Sequence, residues 1–126
     1  MKFEFLDDEA IISISPHAKE RYTQREQVLA YADNRVDLHW LVRNRLEDSE
    51  VQEIILDEVQ SQTRFGIELS KSFVAVIYMD AAYKTEEDER PAWYFRVETV
   101  HNISYGKKFY MRGENEKYID VNNNVA

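Results

Sequence analysis

The sequence predicts an α+β fold in which one or two short N-terminal strands and two helices pack on an antiparallel β-meander. Apolar residues recur at helical spacing in the first half of the chain, whereas aromatic and β-branched residues cluster in short runs from Thr63 onward. With 126 residues, 44% of them hydrophobic and 32% charged, the chain is long enough to bury one core. We therefore expect a single α+β domain over residues 1–121 and a flexible C-terminal tail at 122–126.

The N-terminal strands are predicted from an apolar run at Ala10–Ile14, with Phe3 and Phe5 upstream. The run ends at Ser15 and Pro16, which together form a helix-start signal. The Ser15 hydroxyl can accept a hydrogen bond from a free N–H of the first turn, and proline has no N–H to leave unpaired. We therefore expect a helix to begin at Pro16.

A second helical region is predicted from Gln27 to Glu47, where apolar residues keep helical spacing and Asp33 is a candidate cap between two helices. The apolar run that follows, Val51–Val59, fits either a helix or a buried strand, because a short apolar run does not distinguish the two. Of these alternatives we favour the strand.

Three runs rich in aromatic and β-branched residues predict the meander. They are Thr63–Leu69, Phe73–Asp80 and Ala92–His101. The link at Ser70–Ser72 is short enough for a hairpin, whereas residues 81–91 form a longer polar connection. Two further runs, Lys107–Met111 and Tyr118–Val121, are expected to add edge strands.

Alternation along the last strand of the meander predicts which of its side chains face the helices. The residues expected to face them are Trp93, Phe95, Val97, Thr99 and His101. The residues expected on the opposite face are Tyr94, Arg96, Glu98 and Val100.

Several function classes are excluded by what the sequence lacks. It has no cysteine, which excludes disulfides, thiolate metal sites and a cysteine nucleophile. Glycine-rich phosphate loops, dinucleotide fingerprints and nucleophile elbows are absent as well. The three histidines fall in different elements, and there is no His-Glu-x-x-His motif, so we expect neither a metal nor a cofactor.

The N-terminus lacks the basic and apolar regions of a signal peptide, and no apolar run approaches membrane length. We therefore expect a cytoplasmic location and no membrane partner.

The formal net charge of −8 disfavours non-specific attraction to nucleic acid. Acidic residues concentrate in two segments, Asp48–Glu58 and Asp80–Arg90. The second contains a run of four carboxylates that we take as candidate partner-binding residues, Glu86, Glu87, Asp88 and Glu89. By contrast, Trp93–Arg112 is basic and rich in aromatic residues.

The best candidates for chemistry are His17, Arg21 and Arg25, which recur at four-residue steps and therefore share one stripe of the first predicted helix. Imidazole moves protons near neutral pH, and guanidinium matches phosphate oxygens with paired donors. This set suits a phosphodiester substrate. The candidate substrate-binding residues are Lys19 and Arg96 for phosphates, Tyr94 for stacking on a base, and His101, which is the histidine best placed to approach His17.

The His-Ala-x-x-Arg-x-x-x-Arg helix between short strands and a meander resembles the RelE/ParE-type toxin superfamily, and most closely its BrnT-like branch. The matching residues are His17, Ala18, Arg21 and Arg25. The resemblance implies a RelE/BrnT-like α+β fold, metal-independent cleavage of RNA by basic and imidazole side chains, and restraint by an antitoxin partner. This chain differs from those toxins in being acidic.

Two functional hypotheses therefore stay open. In the first, the protein is a metal-independent endoribonuclease acting on RNA through the His/Arg helix. In the second, it is a catalytically inactive, acidic, phage- or mobile-element-type protein that binds and inhibits a macromolecular partner through its carboxylate clusters. The expected partner is RNA in the first case, and an antitoxin-like or host protein in the second.

Overall fold

The computed structural model describes residues 2–28, 37–83, 91–103 and 117–125, and the side chains of all of these except 25–28, 82–83 and 91–92. Its strands are β1 (Lys2–Phe5), β2 (Asp8–Ile14), β3 (Thr63–Glu68), β4 (Phe73–Tyr83), β5 (Pro91–Asn102) and β6 (Lys117–Ile119). Its helices are α1 (Pro16–Val28), α2 (Leu38–Leu46) and α3 (Ser49–Glu58).

The six strands form one mixed sheet in the order β1-β2-β5-β4-β3-β6. Strands β3, β4 and β5 are antiparallel neighbours, so the predicted meander is confirmed, and the short link before Phe73 makes the expected hairpin. Strand β2 joins β5 in parallel, and β6 joins β3 in parallel. The α+β class is therefore confirmed.

All three helices pack on the same face of the sheet. Buried residues of each helix belong to one hydrophobic cluster with the strands, including Ala18 of α1, Leu46 of α2 and Ile55 of α3. The sheet supplies Phe5 and Phe95, whose rings lie 5.1 Å apart and are fully buried. Burying a side chain of this size contributes about 1.5–3 kcal/mol.

The run Val51–Val59 forms α3, so the prediction of a strand there is wrong. Asp48 caps this helix, because its carboxylate accepts hydrogen bonds from the N–H groups of Glu50 and Val51 at 2.9 and 3.3 Å. Helix α2 begins at Leu38 with Asp37 as its cap. The predicted cap at Asp33 lies outside the described residues.

A β-bulge interrupts the alternation of β5 at Glu98. Val97 pairs with Ile77 and Thr99 pairs with Val76, which leaves Glu98 as the extra residue. The bulge reverses the faces beyond it, so Val100 is buried in the cluster with the helices and Thr99 lies on the opposite face. The predicted faces are confirmed for 93–97 and wrong for 99–101.

The C-terminal strand β6 is shorter than predicted, and the candidate strand at Lys107–Met111 lies outside the described residues. Residues 122–125 of the expected tail form a turn around Asp120, whose carboxylate accepts hydrogen bonds from the N–H groups of Asn122 and Asn124. An isolated bridge between Ile119 and Val125 closes this turn.

Ser15 joins α1 to the bulge of β5. Its hydroxyl accepts a hydrogen bond from the N–H of Ala18 at 3.0 Å, which confirms the predicted cap, and donates to the carbonyl of Glu98 at 2.8 Å. Its own N–H donates to the carbonyl of Val97. One buried serine thus sets both the start of α1 and its position on the sheet.

We predict that Ser15→Ala lowers the free energy of unfolding by about 1–2 kcal/mol, because it removes a helix cap and leaves a carbonyl of the bulge without its donor. Urea unfolding measures the change. The matched control is Thr23→Ala, which removes an exposed hydroxyl that bonds within α1 to Lys19 and should change stability by less than about 0.5 kcal/mol. Equal losses in the two variants would contradict this role of Ser15.

Candidate functional site

The face of the sheet that carries no described helix is called the outer face here. Register places on it Ile11 and Ser13 of β2, Tyr94 and Arg96 of β5, and Tyr78 and Asp80 of β4. The two ends of the outer face differ in burial. Toward β6, Val74, Val76 and Tyr118 form a small buried cluster, whereas toward β2 the side chains are exposed or half-buried.

The exposed half, which we call the open half, is centred on Arg96. This residue lies opposite Ser13 on β2 and opposite Tyr78 on β4, so both of its cross-strand neighbours are uncharged. Arg96 is exposed, and within the described part of the chain its side chain makes neither a hydrogen bond nor an ion pair. The open half therefore presents a guanidinium whose donors have no partner among the described residues.

Tyr94 precedes Arg96 by two residues and lies on the same face. Its hydroxyl is 2.8 Å from the Ser13 hydroxyl, which belongs to the neighbouring strand. This hydrogen bond connects the Tyr94 side chain to β2. Tyr94 is 38% exposed and Ile11, its cross-strand neighbour, is 39% exposed. Together with half-buried Tyr78, they give the open half an aromatic and apolar surface.

Two carboxylates also lie near the open half. Glu98 is paired, because one of its oxygens is 2.5 Å from the Arg64 Nε. Asp80, which lies opposite Tyr94 in register, accepts a hydrogen bond from the Ser61 hydroxyl at 3.1 Å and has no cationic partner among the described residues. The partly exposed pair of Arg64 and Glu98 contributes little to stability. Within the described part of the chain, Arg96 is a cation of the open half that has no anionic partner.

The predicted catalytic stripe lies elsewhere. His17, Lys19 and Arg21 are all exposed on α1, with His17 and Arg21 one turn apart, and the side chain of Arg25 lies outside the described residues. Helix α1 packs on the helical face of the sheet through Ala18. The stripe therefore does not share a face with Tyr94 and Arg96, and the structure does not bring the two predicted groups together.

His101 does not join the stripe either. It pairs with Val74, a residue of the outer face, and is half-buried there. The expectation that it faces the helices is wrong, because the bulge at Glu98 places it on the face opposite the one on which α1 packs. No signal in the sequence marks this bulge, since Glu98 fits a regular strand as well.

The predicted partner-binding run from Glu86 to Glu89 lies outside the described residues. The other acidic segment forms the exposed side of α3, where Glu50, Glu53 and Asp57 are exposed beside Leu56, which is 53% exposed. This arrangement is compatible with a docking surface and equally with an ordinary solvated helix.

A cleft of about 980 Å³ opens between the β1–β2 turn and the adjoining ends of α2 and α3. Its two cations are paired, Lys2 with Glu9 and Arg43 with Glu47. Three further carboxylates of the cleft have no cationic partner among the described residues: Glu4, Asp7 and Asp8. The cleft is therefore an acidic surface.

Gln52 holds the turn above this cleft. Its side-chain oxygen accepts from the N–H of Leu6 at 3.1 Å, and its amide nitrogen donates to the carbonyls of Glu4 and Leu46. Leu6 and Asp7 have φ values of 49° and 67°, a conformation that is costly for residues with a Cβ. The Gln52 hydrogen bonds stabilise that turn.

A network of hydrogen bonds lies at the buried end of the outer face. The Tyr118 hydroxyl donates to the carboxylate of Glu68, which is only 3% exposed and also accepts from the N–H of Val121. Arg45 of α2 donates to the carbonyls of Glu68 and Asp120 at 2.9 and 2.8 Å. These contacts attach β6 and the C-terminal turn to the sheet. Burial, and then the bond to Glu68, raise the pKa of Tyr118 above its usual value.

Among the described residues, no group of three or more histidine, aspartate or glutamate side chains is arranged to hold a metal ion. No helix in this part of the chain is long and apolar enough to span a bilayer. Comparison of the chain with family models, curated proteins and solved structures found no match. The resemblance to RelE/ParE-type toxins therefore stays a prediction.

We predict that the protein loses stability as the pH rises above about 10, the usual pKa of a tyrosine phenol. The folded state holds the Tyr118 proton more tightly than the unfolded chain, so its contribution is complete below that pH and decreases above it. Urea unfolding between pH 8 and 11 measures the slope. Tyr118→Phe should be less stable at pH 8 by about 1–3 kcal/mol, because Glu68 loses a donor, but should show a shallower decline. A wild-type slope in this variant would contradict the assignment.

Proposed function

We propose that this protein is a binding protein that holds an extended macromolecular ligand across the open half of the outer face. The observation that carries the proposal is Arg96, whose guanidinium has no described partner and lies between tyrosines on two strands of the outer face. Tyrosine and arginine are the residue types that dominate binding energy at interfaces. No described hydrogen bond or ion pair occupies this guanidinium, so its donors are available to a ligand as far as the described residues extend.

Binding at the open half is favoured over catalysis there because the predicted catalytic residues do not lie beside the predicted substrate-binding residues Tyr94 and Arg96. A metal-independent hydrolysis needs its acid or base and its phosphate ligands around one reacting atom. Here His17 and Arg21 lie on α1, while Arg96 lies on the opposite face of the sheet. The open half itself contains no histidine among the described residues.

A photo-crosslinking experiment tests the binding proposal in cells of the source organism. A benzophenone amino acid replaces Ile11, which lies opposite Tyr94 on β2 but makes no polar side-chain contact with a ligand. In a control protein the same amino acid replaces Trp40, which is 56% exposed on α2. We expect a covalent adduct from position 11 and none of the same size from position 40. The adduct should disappear when Arg96→Ala is added. An adduct that survives Arg96→Ala, or none at all, would overturn the proposal.

RNA cleavage through α1 is a second candidate function. The observation that favours it is the exposure of His17, Lys19 and Arg21 along the same helix, with no described side chain from the sheet covering them. In this mechanism His17 transfers the proton, and Arg21, with Arg25, stabilises charge on the phosphate.

The test of this second function compares the wild type with a His17→Ala/Arg21→Ala variant on labelled RNA in the presence of EDTA. Loss of cleavage by a factor of about 100 or more is expected if imidazole acts as general acid or base. The matched control is Lys71→Ala, which removes an exposed charge from the β3–β4 hairpin. Intact RNA with every protein would exclude this function and leave the binding proposal unaffected.

A further inference from the structure

We infer that the ligand of the open half is a single-stranded nucleic acid, with one phosphate on Arg96 and bases stacked on Tyr94 and Tyr78. The inference rests on the proposed binding function and names its ligand. It concerns the outer face, not the exposed stripe of α1, and requires no cleavage.

The arrangement of side chains on the open half matches the alternation of phosphates and bases along a single-stranded nucleic acid. Tyr94 is two residues from Arg96 along β5, about 7 Å away, and Tyr78 is directly across on β4, about 5 Å away. Guanidinium donates two parallel hydrogen bonds to phosphate oxygens. Every base has a π-face that stacks on an aromatic ring, so two tyrosines beside one arginine form a small stacking platform.

A peptide ligand fits the same surface less well. An extended peptide gains most of its affinity by adding to a free sheet edge, but β2, β5 and β4 are each paired on both sides. An amphipathic helix would need a continuous apolar strip. In the open half Ile11 is the sole aliphatic side chain among the described residues that is substantially exposed, and its neighbours there are polar or aromatic.

The net charge of −8 limits how such a ligand is held. Long-range attraction cannot contribute, so the complex depends on direct contact with the guanidinium and the rings. A protein that engages a single phosphate releases few counterions, and the logarithm of its affinity should fall against the logarithm of salt with a slope of only about −0.7. A polycationic nucleic-acid-binding surface would show a much steeper slope.

The experiment measures fluorescence anisotropy of labelled ten-nucleotide oligo(U) and oligo(dT) with the full chain at several salt concentrations. We expect saturable binding with the shallow slope given above. Tyr94→Ala should weaken it roughly tenfold to a hundredfold through lost stacking. Arg96→Ala should weaken it and bring the slope close to zero, whereas Arg96→Lys should keep the slope because it keeps the charge. The two oligonucleotides show whether RNA or DNA is the better ligand.

Matched controls come from the helical side of the molecule. Trp40→Ala removes an exposed aromatic ring and Arg43→Ala removes an exposed arginine, both on α2, and neither should change the affinity by more than about twofold. All of these positions are exposed, so urea unfolding should confirm that every variant folds.

The outcomes separate the two proposals. No binding by the wild type, or binding that Tyr94→Ala and Arg96→Ala leave unchanged, would overturn the nucleic-acid inference. If the cross-link at position 11 nevertheless forms, depends on Arg96 and is digested by protease but not by nuclease, the binding function holds and its ligand is a protein. If neither the oligonucleotides nor the cross-link reports a ligand, both proposals fail.

Discussion

The parallel pairing of β2 with β5 is the constraint on which the rest of the structure depends. It attaches the N-terminal hairpin to the meander, and it makes β2 and β3 run in the same direction with two strands between them. Two parallel strands of one sheet need a crossover connection. The chain between them contains α1, α2 and α3, whose buried residues lie in one cluster on a single face. The same crossover that builds the core therefore leaves the other face without a described helix.

The bulge at Glu98 makes contacts on both faces of this sheet. On the helical side it brings Val100 into the core, and its carbonyl receives the Ser15 hydroxyl that begins α1. On the outer side its carboxylate pairs with Arg64. The bulge also marks the boundary between the exposed half, which contains Arg96, and the buried half, which contains Val76 and Tyr118. One extra residue thus fixes the start of α1 and also marks the edge of the candidate binding surface.

Local features of this fold could be predicted from the sequence, and nonlocal ones could not. The cap at Ser15 and the three strands of the meander depend on neighbouring residues, so their patterns are visible in the chain. The apolar content of the Val51–Val59 run fits a strand as well as a helix, and it is the cap at Asp48, a local feature, that favours the helix. The parallel contact of β2 with β5 depends on residues far apart in the chain.

The candidate site shows the same division. Alternation along β5 correctly places Tyr94 and Arg96 together on the face away from the helices, because that stretch precedes the bulge. It cannot show that His101 lies on the face opposite α1, since this depends on the bulge and on the side of the sheet on which α1 packs. Nor can it show which cations are paired, because the partners of Arg64 and Lys117, which are Glu98 and Glu58, are distant in sequence.

The lack of a described partner for the Arg96 side chain follows from the same geometry. In a chain with 24 acidic and 16 basic residues, a carboxylate is available to most cations, as the pairs of Arg43 and Arg64 illustrate. Arg96 has no ionic partner among the described residues, because the sheet places the uncharged Ser13 and Tyr78 on either side of it. An exposed, unpaired guanidinium hardly lowers the free energy of unfolding, because water solvates it. An anionic ligand that covers the guanidinium replaces this water with paired hydrogen bonds. The excess of acidic residues then opposes anions that remain at a distance, so that recognition depends on contact with the open half.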